Sequence, residues 1–278
     1  MKRSRRRLTS ARVRAFQRKI YAHCAEHGRD LPWRATSDPY HVLVSEIMLQ
    51  QTQVQRVIEK YKQFITKFPD FCSLANAALR DILTVWRGLG YNRRALALKE
   101  TAQIVVTDFN GELPSDASTL ATLPGIGRAT AGAICAFAYN QPTAFVETNI
   151  RTVFIHSFFR DRDKIRDTEI FPLVRETMDT AHPREWYYAL MDYGVMLKQT
   201  HHDLNKKSAH YQKQAPFKGS NRRVRGMILG LLTEEDAVSE AAIVRQLKTD
   251  PKRTGASLKQ LQAEGFIEKR GRLFIIAR

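Results

Sequence analysis

The stretch LPGIGRATAGAICAFAYNQPTAFVE, Leu123 to Glu147, decides the fold. Pro124, Gly125 and Gly127 allow a tight hairpin that no β-branched residue follows. Arg128-Ala-Thr-Ala-Gly-Ala-Ile then opens a helix whose first backbone N–H groups have no intrahelical partner. Such an end attracts anions, so Leu123, Gly125, Gly127, Arg128 and Thr130 are candidates for gripping a phosphate. The stretch closes on Glu147, joining that grip to a carboxylate. An isolated G-x-G is more often a plain turn before a core helix, and the surrounding sequence has to decide.

Upstream, Asp38-Pro39 is an N-cap and first-turn signal, and the pattern predicts one helix from there to about Phe68. Within it HVLVSEIMLQQTQVQ, His41 to Gln55, contains one acid, Glu46, four residues after Val42 and three after Leu43. That spacing puts Glu46 on the apolar face, where desolvation is expected to raise its pKa and leave it able to donate a proton near neutral pH. Gln50 and Gln51, one turn on, are read either as caps for an exposed duplex edge or as surface amides. Helical patterns follow over Ser73 to Trp86, Arg93 to Asn110 and Ala117 to Leu123. Between the first two, Arg87-Gly-Leu-Gly-Tyr91 is a Gly turn that presents an aromatic ring, Tyr91, either to a base stack or to local packing.

Downstream, Asn149 to Phe159, Glu169 to Thr180 and Pro183 to about Gly194 read as further helices, so the body is all-helical. Lys198 to Lys218 turns polar and basic, with His201, His202 and His210 at a spacing that matches no zinc pattern; solvated or phosphate-facing histidines are expected, and no metal site. From Ser220 the composition resets. Helices are predicted at Arg222 to Leu232, Glu240 to Leu247 and Thr254 to Glu264, with a β-hairpin over Phe266 to Ile276 turning at Arg270-Gly-Arg272. Three short helices and a hairpin make a winged helix-turn-helix, a fold that serves DNA and protein partners alike.

The 278 residues carry a formal net charge of +17, and the pI is about 10.0. A cationic surface of this size points to nucleic acid or an anionic membrane, and nucleic acid is favoured. Lys2 to Lys19 holds nine Lys or Arg and no acid, with Val13, Phe16 and Ile20 at helical spacing; a solvated charge run and a phosphate-contacting arm suit it equally. No apolar run spans a bilayer and no signal peptide is visible, so a cytoplasmic, nucleoid-associated, or otherwise intracellular location is expected. Cys24, Cys72 and Cys135 are few and widely spaced, as reduced thiols are.

Taken together, LPWR at Leu31, SEIMLQQTQV at Ser45, WRGLGY ending at Tyr91, LPGIGRATAGAI at Leu123 and ALMDYGVM at Ala189 resemble the helix-hairpin-helix DNA glycosylases, and among them the MutY-type adenine glycosylases. The resemblance implies a mainly α fold: a six-helix barrel (31–143), a flanking helical domain with a basic arm (1–30 plus 144–218) and a cleft for the substrate base. Residues 219–278 form the winged helix. It also implies that the hairpin grips phosphate, often through a monovalent cation. Carried over by position, Glu46 resembles the acid that protonates adenine, while Gln50 and Tyr91 resemble the residues that enter the duplex. Glu147 stands where the family has an Asp that stabilises the positive sugar. N-glycosidic cleavage needs both groups, with pKa values pushed apart.

Three departures stand out. Glu147 is longer than Asp by one methylene, about 1.5 Å, a displacement of the order that costs about a hundredfold when uncompensated. The family's four iron-sulfur cysteines are missing from Lys198 to Gln214, so a clusterless protein is expected, with basic side chains of this segment taking over DNA contacts or packing. The winged helix replaces the domain that often reads 8-oxoguanine. Ala129 stands where related bifunctional enzymes place a Schiff-base lysine, so hydrolysis by water without a strong lyase step is expected. The expected activity is excision of adenine opposite 8-oxoguanine or guanine by a monomer acting on duplex DNA. The rivals are a thymine or uracil glycosylase of the same fold and a non-catalytic DNA-binding protein.

Overall fold

The structure is a computed structural model that describes residues 7–201, 204–213 and 219–277. In chain order the helices are α1 (Ser10–His27), α2 (Pro39–Leu49), α3 (Val54–Lys67), α4 (Phe71–Asn76), α5 (Leu79–Trp86), α6 (Arg93–Asp108), α7 (Ala117–Leu120), α8 (Arg128–Tyr139), α9 (Thr148–Phe158), α10 (Asp167–Thr177), α11 (Pro183–Thr200), α12 (Asn221–Glu234), α13 (Glu240–Leu247) and α14 (Pro251–Ala263). Strands β1 (Val238–Ser239), β2 (Ile267–Arg270) and β3 (Leu273–Ile276) complete the fold. Their starts follow local chemistry. Asp38 accepts from His41 N at 3.0 Å to open α2, Asp70 and Ser73 form a capping box on α4, and Ser220, Ser239 and Asp250 cap α12, α13 and α14.

The helix expected from Pro39 to about Phe68 is two, and so is the one expected from Ser73 to Trp86. Both breaks have the same cause, a cation on α6. The guanidinium of Arg94 donates to the carbonyls of Ile47, Met48 and Gln50 at 2.8, 2.7 and 2.6 Å, closing the end of α2. Lys99 Nζ donates to the carbonyls of Ala75 and Ala77 at 2.7 and 2.9 Å, closing α4. Helix ends leave four carbonyls without partners, and a cation that collects them makes a stop without Gly or Pro. The other boundaries differ less: α14 begins at Pro251, three residues before Thr254, and α11 runs on past Gly194 to Thr200.

The described residues divide into two compact units: 7–42, 114–122, 126–201 and 204–213 in the first, 43–113, 123–125 and 219–277 in the second. The core of the first is built by α9, α11 and α1, with Ile20, Val153, Phe154, Trp186 and Leu190 fully buried. Phe16 on α1 packs its ring 5.6 Å from Phe154 and 5.9 Å from Trp186. Each such side chain contributes about 1.5–3 kcal/mol on burial.

Two of the sequence strings meet in this unit. Asp192, from ALMDYG, is 3% exposed and receives both Nη atoms of Arg34, from LPWR, at 2.8 and 2.9 Å. Arg29 Nε adds a third bond at 2.6 Å. Burial opposes ionisation of Asp192, but the hydrogen bonds and charges of Arg34 and Arg29 override it and hold the carboxyl below its ordinary range. A depressed carboxylate pKa gives stability that is present above the unfolded pKa and is lost as pH falls through the folded one. Asp192→Asn is expected to lower unfolding free energy by about 1.5–3 kcal/mol at neutral pH. The wild-type advantage should shrink below about pH 4, which urea titrations of both proteins at several pH values will show.

In the second unit α4 packs on α6, and Phe64, Leu74, Ile82, Trp86, Leu98 and Val105 are buried. Residues 219–277 add α12 to α14 and an antiparallel sheet in the order β1-β3-β2. Its register pairs Ile267 with Ile276 and Arg270 with Leu273 across the Gly271 turn. This is the winged-helix arrangement. Ile228, Leu232, Ile243, Leu258, Leu261 and Phe266 form its core.

Candidate active site

The hairpin between α7 and α8 has one position that requires glycine. Gly125 has φ +74°, in the left-handed region, and a Cβ there would lie 2.9 Å from Ala97 Cβ. Gly127 is different: its φ is −81° and a Cβ would meet nothing within 4 Å. The expectation that the backbone path demands glycine at both positions therefore holds at Gly125 alone. The protein leaves the space over Gly127 open, which suits a close approach from outside to the N-terminus of α8. Thr101 Oγ1 donates to the Pro124 carbonyl at 2.9 Å and Gln50 Nε2 to the Gly125 carbonyl at 3.1 Å. Leu123 is buried and anchors the turn, so only its backbone is available to a phosphate; Arg128 and Ala129 are exposed and Thr130 is half-buried.

Glu46 lies in the second unit on α2, half-buried between fully buried Ser45 and Ile47. Glu46 is partly open to solvent while Val42 to Ser45, Ile47 and Met48 around it are buried. Beyond the end of α2, Gln51 has φ +54° and is exposed. Tyr91 also takes a left-handed conformation, φ +48°, after Gly88 at +98° and Gly90 at +72°. A non-glycine residue there is uncommon and costs about 1–3 kcal/mol. Arg94 helps hold the turn: its Nη2 donates to Gly90 O at 3.1 Å and to Thr52 Oγ1 at 2.9 Å, and the guanidinium sits 5.5 Å from the Tyr91 ring centre. Gln50, Gln51, Tyr91 and the Leu123–Gly125 turn thus belong to one unit, organised by an arginine that motif reading missed.

Glu147 lies in the first unit as the N-cap of α9. Its Oε1 accepts from Ile150 N at 2.7 Å and its Oε2 from Asn149 Nδ2 at 3.1 Å. Lys198 Nζ donates to Asn149 Oδ1 at 2.6 Å. An ammonium only donates, so it turns the Asn149 amide to present Nδ2 to Glu147, and that arrangement needs an acceptor at Glu147, namely a carboxylate. Burial pushes the Lys198 ammonium below its ordinary range, while Glu147 pulls it back up. Gly194 lets α11 come this close: a Cβ there would lie 2.6 Å from Asn149 O. Lys198 and Asn149 were not singled out from sequence, because their meeting depends on how α11 crosses α9.

The segment after α11 offers no thiolate. It contains no cysteine, and among the described residues no three or more His, Cys, Asp or Glu converge. It does not fit a four-cysteine cluster. What it supplies is packing: Asn205 Oδ1 accepts from Thr152 Oγ1 on α9 at 2.6 Å, and Ile165 exchanges backbone bonds with Lys207 and Ala209, each at 2.9 Å. His201 packs against His156, and His210 Nε2 lies 3.9 Å from Asp167. His202 and the start of the basic arm, residues 1–6, lie outside the described residues.

Residues 44–172 match the superfamily described as HhH-GPD base excision DNA repair proteins. Over 260 residues the chain is 31% identical to the adenine DNA glycosylase of Mycolicibacterium smegmatis, covering 87% of this chain and 88% of that protein. The chain belongs to the HhH-GPD superfamily. It is also 36% identical over 170 residues to the adenine DNA glycosylase of Buchnera aphidicola, covering 61% of this chain, and 34% identical over 248 residues to that of Mus musculus, covering 85%. The chain spans about half of each, 48% in both cases. Among solved structures, a thermostable thymine-DNA glycosylase superposes with a TM-score of 0.60 at 26% identity, covering 67% of this chain and 87% of that one. An endonuclease III trapped in a covalent DNA intermediate superposes with a TM-score of 0.55 at 19% identity, covering 77% and 92%; it shares the fold. Within this HhH-GPD chain, position 129 is an alanine that faces solvent and has no amine for a Schiff base.

The network around Glu147 makes a specific expectation. Lys198→Met should lower the excision rate roughly tenfold or more by letting the Asn149 amide turn, with DNA affinity changed much less. Lys198→Arg, which keeps a donor-only cation, should recover part of the rate in single-turnover measurements.

Proposed function

We propose that the protein is a monofunctional adenine DNA glycosylase that acts on adenine opposite 8-oxoguanine or guanine. The observation that carries the reading is Glu46, a half-buried acid among the buried side chains of Val42, Leu43, Ile47 and Met48 on α2, inside the superfamily span. In this reading Glu46 gives its proton to the adenine ring as the C1′–N bond breaks and the bonding electron pair leaves with the base. Glu147 stabilises the oxocarbenium-like sugar. Water adds to C1′ and loses a proton, leaving an abasic site. Ala129 supports hydrolysis over a lyase step, and borohydride should trap no covalent complex. The hairpin from Leu123 to Gly127 grips the DNA phosphate, and its backbone carbonyls would hold a monovalent cation that would supply positive charge there. The protein works without an iron-sulfur cluster, so the purified chain should lack that cluster's visible absorption band. It acts as a monomer inside the cell.

A second reading has an observation of its own, the 26% identity to a thymine-DNA glycosylase. Duplexes carrying A:8-oxoG, A:G, T:G, U:G and hypoxanthine pairs, incubated with the protein and then cleaved with alkali, separate the two. Product from the adenine pairs is the expected result. Product from T:G or U:G alone would replace adenine with pyrimidine. No product from any duplex, with salt-sensitive binding intact, would leave a DNA-binding protein without activity.

A further inference from the structure

We propose that the winged helix belongs to the DNA-binding surface through its first helix, α12, and that the groove between α12 and the turns around Gln50 and Tyr91 holds a strand of the duplex. The groove lies wholly in the second unit and encloses about 1370 Å³, more than the roughly 300–1,000 Å³ of a small-ligand pocket. Among the described residues that line it are seven arginines and a single carboxylate, Glu234. That carboxylate is already engaged by Arg87. Arg93 and Arg225 share Glu264, which their hydrogen bonds and charges hold down at about 2. Arg56 on α3 and Arg223 on α12 stand at the groove with exposed side chains. A strand presents phosphates to such cations, and its bases meet the rest of the lining: the amides of Gln50, Gln51, Asn92 and Asn221 and the ring of Tyr91.

The link between α12 and the Tyr91 turn is direct. Arg222 Nη1 donates to Tyr91 Oη at 2.7 Å, and its guanidinium stands 5.6 Å from the ring centre. The ring is therefore flanked by Arg94 from α6 and Arg222 from the winged helix, so a residue in a costly left-handed conformation is braced from two elements. A winged helix whose only role was a separate contact would have no need of this bond. The usual reading surface of such a domain is its third helix. Here α14 leaves Lys252 and Lys259 exposed and gives the groove Gln260, whereas α12 lines it with Arg222, Arg223 and Arg225.

The inference rests on the DNA reading of the protein, but its test needs no turnover. Binding of the full chain to a duplex with a tetrahydrofuran abasic analogue opposite guanine is titrated by fluorescence anisotropy over a range of salt. Arg56→Ala/Arg223→Ala is expected to weaken binding about tenfold or more near physiological salt and to lower the slope of log K against log salt by about 2. Lys252→Ala/Lys259→Ala on α14 should bind within twofold of wild type. With 2-aminopurine beside the abasic analogue, Arg222→Ala should lose most of the fluorescence change that wild type produces, and Arg222→Lys should recover part of it. If the Arg56/Arg223 variant binds like wild type, or the α14 variant shows the larger loss, α12 is not the strand site. Excision from no duplex together with the predicted binding losses would sink the glycosylase reading alone. Normal excision with unchanged binding would sink this one alone.

Discussion

Arg94→Met is expected to lower the unfolding free energy by about 3–5 kcal/mol and to abolish productive DNA binding. Arg94 is 8% exposed, and its guanidinium reaches five carbonyls, those of Ile47, Met48, Leu89, Gly90 and Gln50, together with the Thr52 hydroxyl. Burial pushes its pKa down to about 10, so it stays charged at neutral pH, and its charge is spent on backbone dipoles. Methionine fills much of the volume but offers no donor. Each buried acceptor left without a partner costs about 1–3 kcal/mol before the chain relaxes or water enters, and relaxation brings the sum into the range of the most destabilising substitutions. The relaxation is also what should harm function, because it frees the end of α2, where Gln50 sits, and the turn that holds Tyr91 at positive φ. Arg94→Lys keeps the charge but not the planar fork, and should fall between the two. Urea midpoints give the stability, and anisotropy with an abasic duplex gives the binding. A methionine variant within about 1 kcal/mol of wild type would show that the carbonyls find other partners.

The same arginine shows where sequence reading stops. Asp38, Asp70, Ser220 and Ser239 act within three residues of themselves, so a local pattern announces the helices they start. The ends of α2 and α4 are set by Arg94 and Lys99, whose partners lie 22 to 47 residues back along the chain. Nothing at Gln50 to Gln53 or at Ala77-Ala78 breaks a helix by itself. The site divides in the same way. The turn at Gly125 was legible because glycine marks backbone paths, whereas the burial of α2 on several sides, Val42 to Ser45 with Ile47 and Met48, was not readable from a one-face period. Glu147 was legible as a carboxylate, but the atoms that orient it were not. The bond from Lys198 to Asn149 exists because Gly194 lets one helix lie against the end of another, and no spacing rule encodes that. The LPWR and ALMDYG strings stood out as motifs without a physical reason until Arg34 and Asp192 met.

Glu147→Gln is expected to slow single-turnover excision by about 10²–10³-fold, the loss typical when one preorganised electrostatic group is removed from developing charge. The change is nearly isosteric. Its oxygen still accepts from Ile150 N and keeps the cap on α9, so stability should move by no more than about 1 kcal/mol. The other end of the amide is the difficulty. Its Nε2 would face Asn149 Nδ2, donor against donor, and Lys198 holds Asn149 against turning over. The variant therefore loses the negative charge and also gains a mismatched contact. Combining it with Lys198→Met should relieve that contact while leaving the charge absent, so the double variant should be no slower than Glu147→Gln alone. Glu147→Asp tests the extra methylene: Asp also caps α9 and keeps the charge, and its carboxylate is set back by about 1.5 Å. A rate below wild type would mean that α9 in this chain is positioned for the longer side chain. Glu46→Gln, which removes the proton donor, should cost about 10²–10⁴-fold. Its loss should persist at low pH, since an amide has no proton to regain. If Glu147→Gln excised base as fast as wild type, the carboxylate would be a helix cap and nothing more.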